Sequence, residues 1–326
     1  MRHDIYRSFS FRTLLLPVAL LFGLCTAPAG AQQAASGQPL RIIVPFSAGA
    51  TIDAVARLVA SKLPYQTIVD NRAGAGGILG TSAVAKAKPD GHTIVLVANN
   101  LSTNSAVRSD LPYDPEKDFA PVSLVGYVPY AFVVPGDSKF TSLKELFGAA
   151  TGSSNPINYG HIGVGSHGHF IGAMLEESAK VRLTQVPYKG QTEIMMAVMG
   201  GHLETGIVNL SIAVKQLKEK RTKILATLTE ERTSFTPDVP TMKELGLPIV
   251  ENAWYGFLAP AGTPPEIIET LNRDITASLR SPEVSAKMND LGIQVIASSS
   301  QKFSEIIRDD LLKFRRIARA ANIKAE

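Results

Sequence analysis

The chain has 326 residues, and its 33 Lys and Arg against 29 Asp and Glu give a formal net charge of +4. A surplus this small, without any block of basic residues, argues against a nucleic-acid partner. The single cysteine of the sequence excludes an internal disulfide framework.

The N-terminus has the pattern of a secretory signal peptide. Arginines precede an apolar run at 14–24, and small residues at 29–31 predict cleavage before Gln32. The run is too short for a stable membrane span, although a membrane anchor is an alternative interpretation. Lipid attachment at Cys25 is another, but Leu24 stands where a lipoprotein signal needs a small residue. Export by this signal predicts a periplasmic location.

Removal of the predicted signal peptide, residues 1–31, takes away three arginines, one aspartate and the only cysteine, which leaves a net charge of +2. Thiolate metal sites and cysteine nucleophiles are then excluded. The small and polar residues of 32–38 predict a disordered leader. No later stretch approaches the roughly 18 uninterrupted apolar residues of a membrane helix.

The first part of the mature chain alternates between strand and helix patterns. Strands are predicted at 40–44, 67–70 and 93–98, helices after Thr51 and after the glycine-rich segment 73–80, and a polar loop at 99–104. This alternation is typical of a mostly parallel α/β sheet.

The same alternation restarts further along the chain. Strands are predicted at 131–134, 157–159, 183–186, 206–208, 224–228 and 254–259, and helices from Ser142, at 169–179, at 191–199, from Pro264, at 282–291 and at 300–321. A mature chain of about 295 residues is large for one core, so two lobes are expected. We assign residues 39–130 and 253–326 to lobe 1 and residues 131–252 to lobe 2. The predicted class is a two-lobed α/β fold, each lobe with a central mostly parallel sheet flanked by helices.

The loop between the first strand and the first helix is a candidate ligand site. Residues 47–51 are small, so a ligand can approach the backbone, and the helix that follows presents free N–H groups to an anion. Asp53 belongs to this segment, with a simple helix cap as an equal alternative for its role.

A glycine-rich segment at 159–169 follows a strand and precedes a helix. Gly163, Gly165 and Gly168 match the spacing of a dinucleotide-binding motif. The next strand lacks the acidic residue that would bind a ribose, so an anion cradle at the helix N-terminus is the favoured interpretation.

Three histidines, at 161, 167 and 169, lie close together in the sequence. Metal binding needs converging imidazoles with a carboxylate or thiolate partner, and no such spacing is present. A histidine that donates to a ligand or caps its own helix is favoured instead. Nucleophile elbows, phosphate-binding lysines and paired acid–base carboxylates are not recognisable, which favours binding over catalysis.

The mature chain also resembles the tripartite tricarboxylate transporter substrate-binding proteins, the TctC-like or Bug-type receptors. The matching segments are 43–46 (IVPF), 69–77 (VDNRAGAGG), 88–91 (KPDG), 111–115 (LPYDP), 186–190 (VPYKG), 238–241 (DVPT), 244–246 (ELG), 254–256 (WYG) and 259–264 (APAGTP). Together they extend over nearly the whole mature chain in a fixed order, which makes the match specific.

The resemblance implies a Venus-flytrap, type II-like receptor that closes over a small carboxylate without a cofactor. Such a receptor is a monomer that delivers its solute to a membrane transporter, or alternatively reports it to a signalling partner such as a sensor kinase. The loop after the first strand and the glycine-rich loop would face each other across the cleft. Enzymatic activity is not expected.

The chain departs from the family pattern at three places, one of which is the loop 99–104, where it is more polar than usual. The first loop keeps only Gly49 and Asp53 in their usual positions, and Asn209 stands where the family often has an acidic residue. Our hypothesis is that a neutral or amide-containing solute, or an acid without an amino group, tolerates Asn209 better than an ammonium does. The predicted ligand-binding residues are Ser47, Ala48, Gly49, Ala50, Thr51, Asp53, Asn100, Ser102, Gly160, Gly163, Ser166, His169, Tyr188, Lys189 and Asn209.

Overall fold

The computed structural model describes residues 38–150 and 156–324, so the predicted signal peptide lies outside the described residues. In chain order the elements are β1 (Leu40–Val44), α1 (Thr51–Ala60), β2 (Thr67–Asn71), a 3₁₀ turn (Ala75–Gly77), α2 (Ile78–Ala85), β3 (Thr93–Ala98), α3 (Asn100–Val107), β4 (Phe119–Pro135), α4 (Leu143–Ala150), β5 (Ile157–His161), α5 (His167–Ala179), β6 (Leu183–Pro187), α6 (Gln191–Met199), β7 (Thr205–Asn209), α7 (Leu210–Lys218), β8 (Thr222–Thr227), β9 (Asn252–Pro260), α8 (Pro265–Arg280), α9 (Pro282–Asp290), β10 (Gln294–Val295) and α10 (Ser300–Ala320). None of the described helices combines the length and hydropathy that a membrane span requires.

The strands build a two-lobed α/β fold, as the sequence predicted. The strand order is β2-β1-β3-β9-β4-β7-β5-β6, with β8 and β10 paired to β4. Pairing is parallel within β2-β1-β3 and within β6-β5-β7, because helices connect these strands. It is antiparallel wherever β4 or β9 takes part, so each sheet is mixed at the junction between the lobes.

The strand β4 is longer than the sequence predicted. A strand was predicted only at 131–134, and the stretch before it contains Pro121 and Pro129, residues that are unusual in a central strand. In the structure β4 runs for 17 residues, and its register against β9 shifts just after Pro121. The irregular register accommodates a residue that cannot donate to the ladder.

The two lobes share β4. Pro129 still pairs with Asn252 of β9 in lobe 1, whereas Tyr130 pairs with Asn209 of β7 in lobe 2. This change of partner lies beside the predicted lobe boundary at residue 130, and the boundaries themselves remain a prediction.

Two helices were missed. The segment 99–104 was predicted as a loop, but α3 covers Asn100–Val107, and α7 follows β7 directly. The asparagines of α3 disfavour a helix in isolation, yet Leu101, Ser102 and Thr103 are buried against the body of lobe 1. Tertiary packing therefore overrides local propensity at this position.

The C-terminal helix α10 reaches from lobe 1 to lobe 2. Its first half packs Phe303, Ile307 and Leu311 into a lobe 1 cluster. Its second half packs Phe314 and Ile317 against α5, where Phe170 is fully buried. The start of α5 is thereby held against lobe 1, beside the cleft that the two sheets enclose.

Candidate functional site

A cavity of about 380 Å³ lies between the two lobes, where strands end and the helices that follow them begin. Ligands of open α/β sheets bind at such carboxyl ends of strands. The cavity is lined by Phe46, Ala50, Thr51, Ile52, Gly76, Ala98, Asn99, Asn100, Thr103, Asn104, Tyr130, Ile162, Val164, Gly165, Ser166, His167, Gln191, Asn209, Ala253 and Tyr255. This lining contains no Asp, Glu, Lys or Arg, so its polarity comes from amides, hydroxyls, backbone groups and the imidazole of His167.

The loop before α1 is shaped by Asp53. Its carboxylate accepts from the Gly49 N–H at 2.9 Å, from Arg57 Nε at 3.1 Å and from Asn71 Nδ2 at 3.0 Å. Burial alone would raise the pKa of Asp53, but these bonds, led by that of Arg57, hold the pKa below its usual value. Asp53 therefore braces the loop from behind, while Ala50 at the N-cap makes no side-chain hydrogen bond. The first N–H groups of α1 remain free for a ligand.

The loop before α5 is braced by two stacked histidines. The rings of His161 and His169 lie 5.1 Å apart, and the N–H groups of Gly163 and Gly165 donate to them at 3.1 and 3.2 Å. Burial, together with the positive charge that His161 would carry, lowers the pKa of His169 to about 4. His169 is therefore a neutral acceptor, whereas His161 Nδ1 also lies 2.9 Å from the Gly163 carbonyl oxygen, to which its other tautomer donates. Both rings hold the glycine loop in place, and neither lines the cavity.

Asparagines of α3 line the lobe 1 wall of the cavity. Asn100 and Asn104 both donate from Nδ2 to the carbonyl oxygen of Gly76, at 2.7 and 3.1 Å. The Oδ1 atom of Asn100 is buried without a hydrogen-bond partner among the described residues. The α3 side of the cleft therefore keeps amide oxygens that are not bonded to the protein.

The opposite wall carries a paired amide at the end of β7. The Asn209 N–H donates to Gln191 Oε1 at 2.7 Å, and Gln191 Nε2 donates to Asn209 Oδ1 at 3.2 Å. Gln191 is the first residue of α6, whose start is capped by Glu193 through the N–H groups of Lys189 and Gly190. Both amide side chains line the cavity.

A buried charged network lies behind His167. Its Nε2 lies 2.8 Å from Glu251 Oε2, both side chains are only 5% exposed, and its Nδ1 contacts the Asn99 amide. Lys313 of α10 binds the other Glu251 oxygen at 2.8 Å and Asp310 at 3.0 Å. Burial would raise the pKa of Glu251, but the hydrogen bond from His167 and the charge of Lys313 hold it below its usual value. His167 therefore joins α5 of lobe 2 to α10 of lobe 1.

Aromatic and aliphatic side chains supply the rest of the cavity wall. Tyr130 and Tyr255 line it, and burial raises the pKa of Tyr255 to about 12, so its hydroxyl stays protonated. Phe46 adds apolar surface on lobe 1, and Ile162 and Val164 are 44% and 59% exposed near the glycine loop. The cavity thus combines apolar walls with a few convergent polar groups, as small-molecule sites do.

The electrostatic character of the site favours an anion. Helices α1, α3, α5 and α6 all begin at residues that line the cavity or lie next to it. Each helix start offers free N–H groups and the positive end of its dipole. Among the described residues, no group of three or more His, Cys, Asp and Glu side chains is placed to hold a metal ion.

The structure brings together five of the fifteen predicted residues at the cavity: Ala50, Thr51, Asn100, Ser166 and Asn209. The other ten lie outside its lining. Ser47, Ala48 and Gly49 are exposed on the loop before α1, and Asp53 and His169 brace loops from behind. Ser102 is buried within lobe 1, Gly160 lies against Ile194 and Leu203, and Gly163 bends the glycine loop. Tyr188 and Lys189 line a separate surface groove. All fifteen assignments remain predictions of ligand contact.

Sequence reasoning missed several cavity residues. Tyr130 was missed because the predicted strand began one residue later, at 131, and Asn99 because the helix that it precedes was predicted as a loop. Gln191 follows Gly190 at a helix start, directly after the VPYKG segment, which was a signal that could have placed it in the site. His167 was considered as a metal ligand, a ligand donor or a helix cap, but its pairing with Glu251, 84 residues away, was not predicted.

Comparison with known proteins gives a consistent result. The model of the tripartite tricarboxylate transporter family receptor matches residues 52–323. The protein BugT of Bordetella pertussis (strain Tohama I) is 30% identical over 322 residues, which cover 96% of this chain and 98% of BugT. These matches confirm the predicted resemblance.

Two solved structures of similar proteins contain small acids. MatC (Rpa3494) from Rhodopseudomonas palustris, with bound malate, is 30% identical with a TM-score of 0.72, and the match covers 86% of this chain and 98% of MatC. R. palustris Rpa4515, with adipate, is 29% identical with a TM-score of 0.76, over 88% and 98% of the two chains.

Proposed function

We propose, from the premise that the chain belongs to the tripartite tricarboxylate transporter family of receptors, that it captures a small organic acid between its lobes and delivers it to a membrane transporter. The predicted signal peptide 1–31 places this activity in the periplasm. The protein acts as a monomeric receptor, and it releases its ligand chemically unchanged.

The observation that carries the proposal is a cavity without Asp, Glu, Lys or Arg in its lining and surrounded by helix N-termini. An anion there is met by free N–H groups and dipole ends, without any carboxylate among the lining residues to repel it. The malate and adipate of the two similar structures are acids of a size that about 380 Å³ can hold. These facts support a carboxylate as the ligand.

The same cavity disfavours an amino acid. An ammonium group that leaves water needs a paired negative charge, and no lining residue is a carboxylate. The carboxylates nearest to the wall, Asp53 and Glu251, are already paired with Arg57 and with His167 and Lys313. We therefore propose an acid without an amino group as the ligand class.

A thermal-shift screen against small acids tests the proposal. A ligand that binds only the folded state at 1,000 times its Kd stabilises it by about 4 kcal/mol, which raises the melting temperature by several degrees. Malate, succinate and adipate are expected to raise it more than aspartate, the amino derivative of succinate. Failure of every acid at millimolar concentration would contradict the receptor function, and tighter binding of aspartate than of succinate by calorimetry would contradict the ligand class. Recovery of the bound acid unchanged checks that no reaction takes place.

A further inference from the structure

The orientation of the Asn209 side chain follows from its bonding to Gln191. A backbone N–H can only donate, so the Gln191 atom 2.7 Å from the Asn209 N–H is the acceptor Oε1. The other end of the Gln191 amide is then the donor Nε2, and the Asn209 atom 3.2 Å from it is Oδ1. The carbonyl end of Asn209 is thus tied to the protein.

The nitrogen of the Asn209 amide is left for another partner. Among the described residues no hydrogen bond involves Asn209 Nδ2, and the side chain lines the cavity. Asn209 occupies the N-cap position of α7, where asparagine ordinarily accepts from a backbone N–H, yet it makes no such side-chain bond. Helix capping therefore does not explain why an asparagine occupies this position.

The surroundings make this nitrogen an effective donor. Asn209 precedes the first turn of α7, so the positive end of that helix lies beside it. Gln191 stands at the first position of α6 and adds a second helix start. Both features favour an electron-rich oxygen at this wall and oppose a cation.

We infer that Asn209 determines ligand specificity by donating from Nδ2 to an oxygen at one end of the ligand, and that Gln191 is the residue that positions it. The inference rests on the proposed function and narrows it. The ligand carries, besides the carboxylate at the helix starts, a second end with an acceptor oxygen, such as a second carboxylate or a carbonyl. An ammonium at that end is rejected.

Three ligands that differ only at one end test this inference by isothermal titration calorimetry: adipate, monomethyl adipate and 6-aminohexanoate. They offer a charged acceptor, an uncharged acceptor and a charged donor at about the same distance from a common carboxylate. Succinate, monomethyl succinate and 4-aminobutanoate form a shorter set. The wild-type protein is expected to bind the dicarboxylate of the fitting set at least about tenfold more tightly than the amine, the range of a charge-assisted hydrogen bond.

Gln191→Glu isolates the positioning role. The introduced carboxylate can only accept, so it takes both the backbone N–H and the Nδ2 of Asn209, and the Asn209 oxygen turns to the cavity. Binding of the monomethyl ester, which keeps one carboxylate and has an uncharged ester at the varied end, is then expected to weaken about tenfold. An effect of charge alone would weaken the dicarboxylate far more than the ester, and that result would overturn the role of Gln191.

Asn209→Asp replaces the donor itself. The ratio of dicarboxylate to amine affinity is expected to fall by about a hundredfold, because an acceptor and a negative charge replace a donor. Asn289→Asp and Gln301→Glu make the same chemical changes on exposed helix surfaces away from the cleft, and they are expected to leave the ratio unchanged. An unchanged ratio in Asn209→Asp would overturn the inference.

The outcomes separate this inference from the proposed function. A wild-type protein that binds no acid in the thermal screen contradicts the receptor function itself. A wild-type protein that binds acids, but none with a second oxygen-bearing end, overturns the role of Asn209 and leaves the receptor function standing.

Discussion

The two walls of the cleft both lack Asp, Glu, Lys and Arg and are rich in amides, but their amides are turned in opposite directions. On lobe 1, Asn100 and Asn104 give their nitrogens to the Gly76 carbonyl and keep their oxygens. On lobe 2, Asn209 gives its oxygen to Gln191 and keeps its nitrogen. The identity of a residue therefore does not tell which end of its amide a ligand meets, because neighbouring backbone groups decide it.

The largest expected effect comes from breaking the buried ion network behind His167, which joins lobe 2 to α10 of lobe 1. Glu251→Leu removes the partner of His167 and Lys313, and we expect the free energy of unfolding to fall by about 3–5 kcal/mol, as when one partner of a buried ion pair is removed. Urea denaturation measures the loss. The double variant Glu251→Leu/Lys313→Met is expected to lose less, since it leaves no unpaired lysine. A loss in the double variant equal to the sum of the losses in Glu251→Leu alone and Lys313→Met alone would contradict a coupled network.

The next effect, on lobe 2, depends on pH. Burial keeps the pKa of His169 at about 4 in the folded protein, against 6.5 for an exposed histidine, and it also lowers the pKa of His161. The unfolded chain therefore binds more protons, and stability falls as pH decreases from about 6.5 towards 4, by up to about 3 kcal/mol for His169. Denaturation curves at several pH values measure this slope.

Variants of the two stacked histidines test whether these histidines cause the pH dependence of stability. His161→Asn/His169→Asn is expected to flatten the slope, because asparagine does not titrate and still offers an acceptor to the glycine loop. His202→Asn, at an exposed histidine of the same lobe, serves as the control. A slope that persists in the double variant would place the acid sensitivity elsewhere.

The smallest expected effect is the difference between the two hydrogen bonds that Asn100 and Asn104 make to Gly76. Asn100→Ala removes the 2.7 Å bond to Gly76 and is expected to cost about 1 kcal/mol of unfolding free energy, whereas Asn104→Ala removes the 3.1 Å bond and costs less. Affinity for adipate should fall more in the first variant. The reverse order would show that the shorter bond does not hold the wall.

Local patterns predicted most of the elements. Apolar runs and helix starts were sufficient to place β1, α6 and α8, whose burial follows their periodicity. The patterns failed where tertiary contacts decide: α3 is helical because its middle is buried, and β4 continues past Pro121 because its register shifts just after that residue.

The candidate site was less accessible to sequence reasoning. The resemblance drew attention to Asn209, but its orientation depends on Gln191, which lies 18 residues earlier. The pairing of His167 with Glu251 joins residues 84 apart, and no local spacing encodes it. Helix starts were predictable because capping and glycine patterns are local, whereas the hydrogen bonds between elements depend on the assembled fold.

The strand β4 has a consequence for any attempt to take the protein apart. Its 17 residues form a strand of both sheets, and β9 pairs with it after the chain has completed lobe 2. A fragment cut at residue 130 would leave each half with an uncovered sheet edge, which is prone to aggregation. An engineer who wants a split biosensor would therefore open the chain at a surface turn such as 89–91 and leave the shared strand intact.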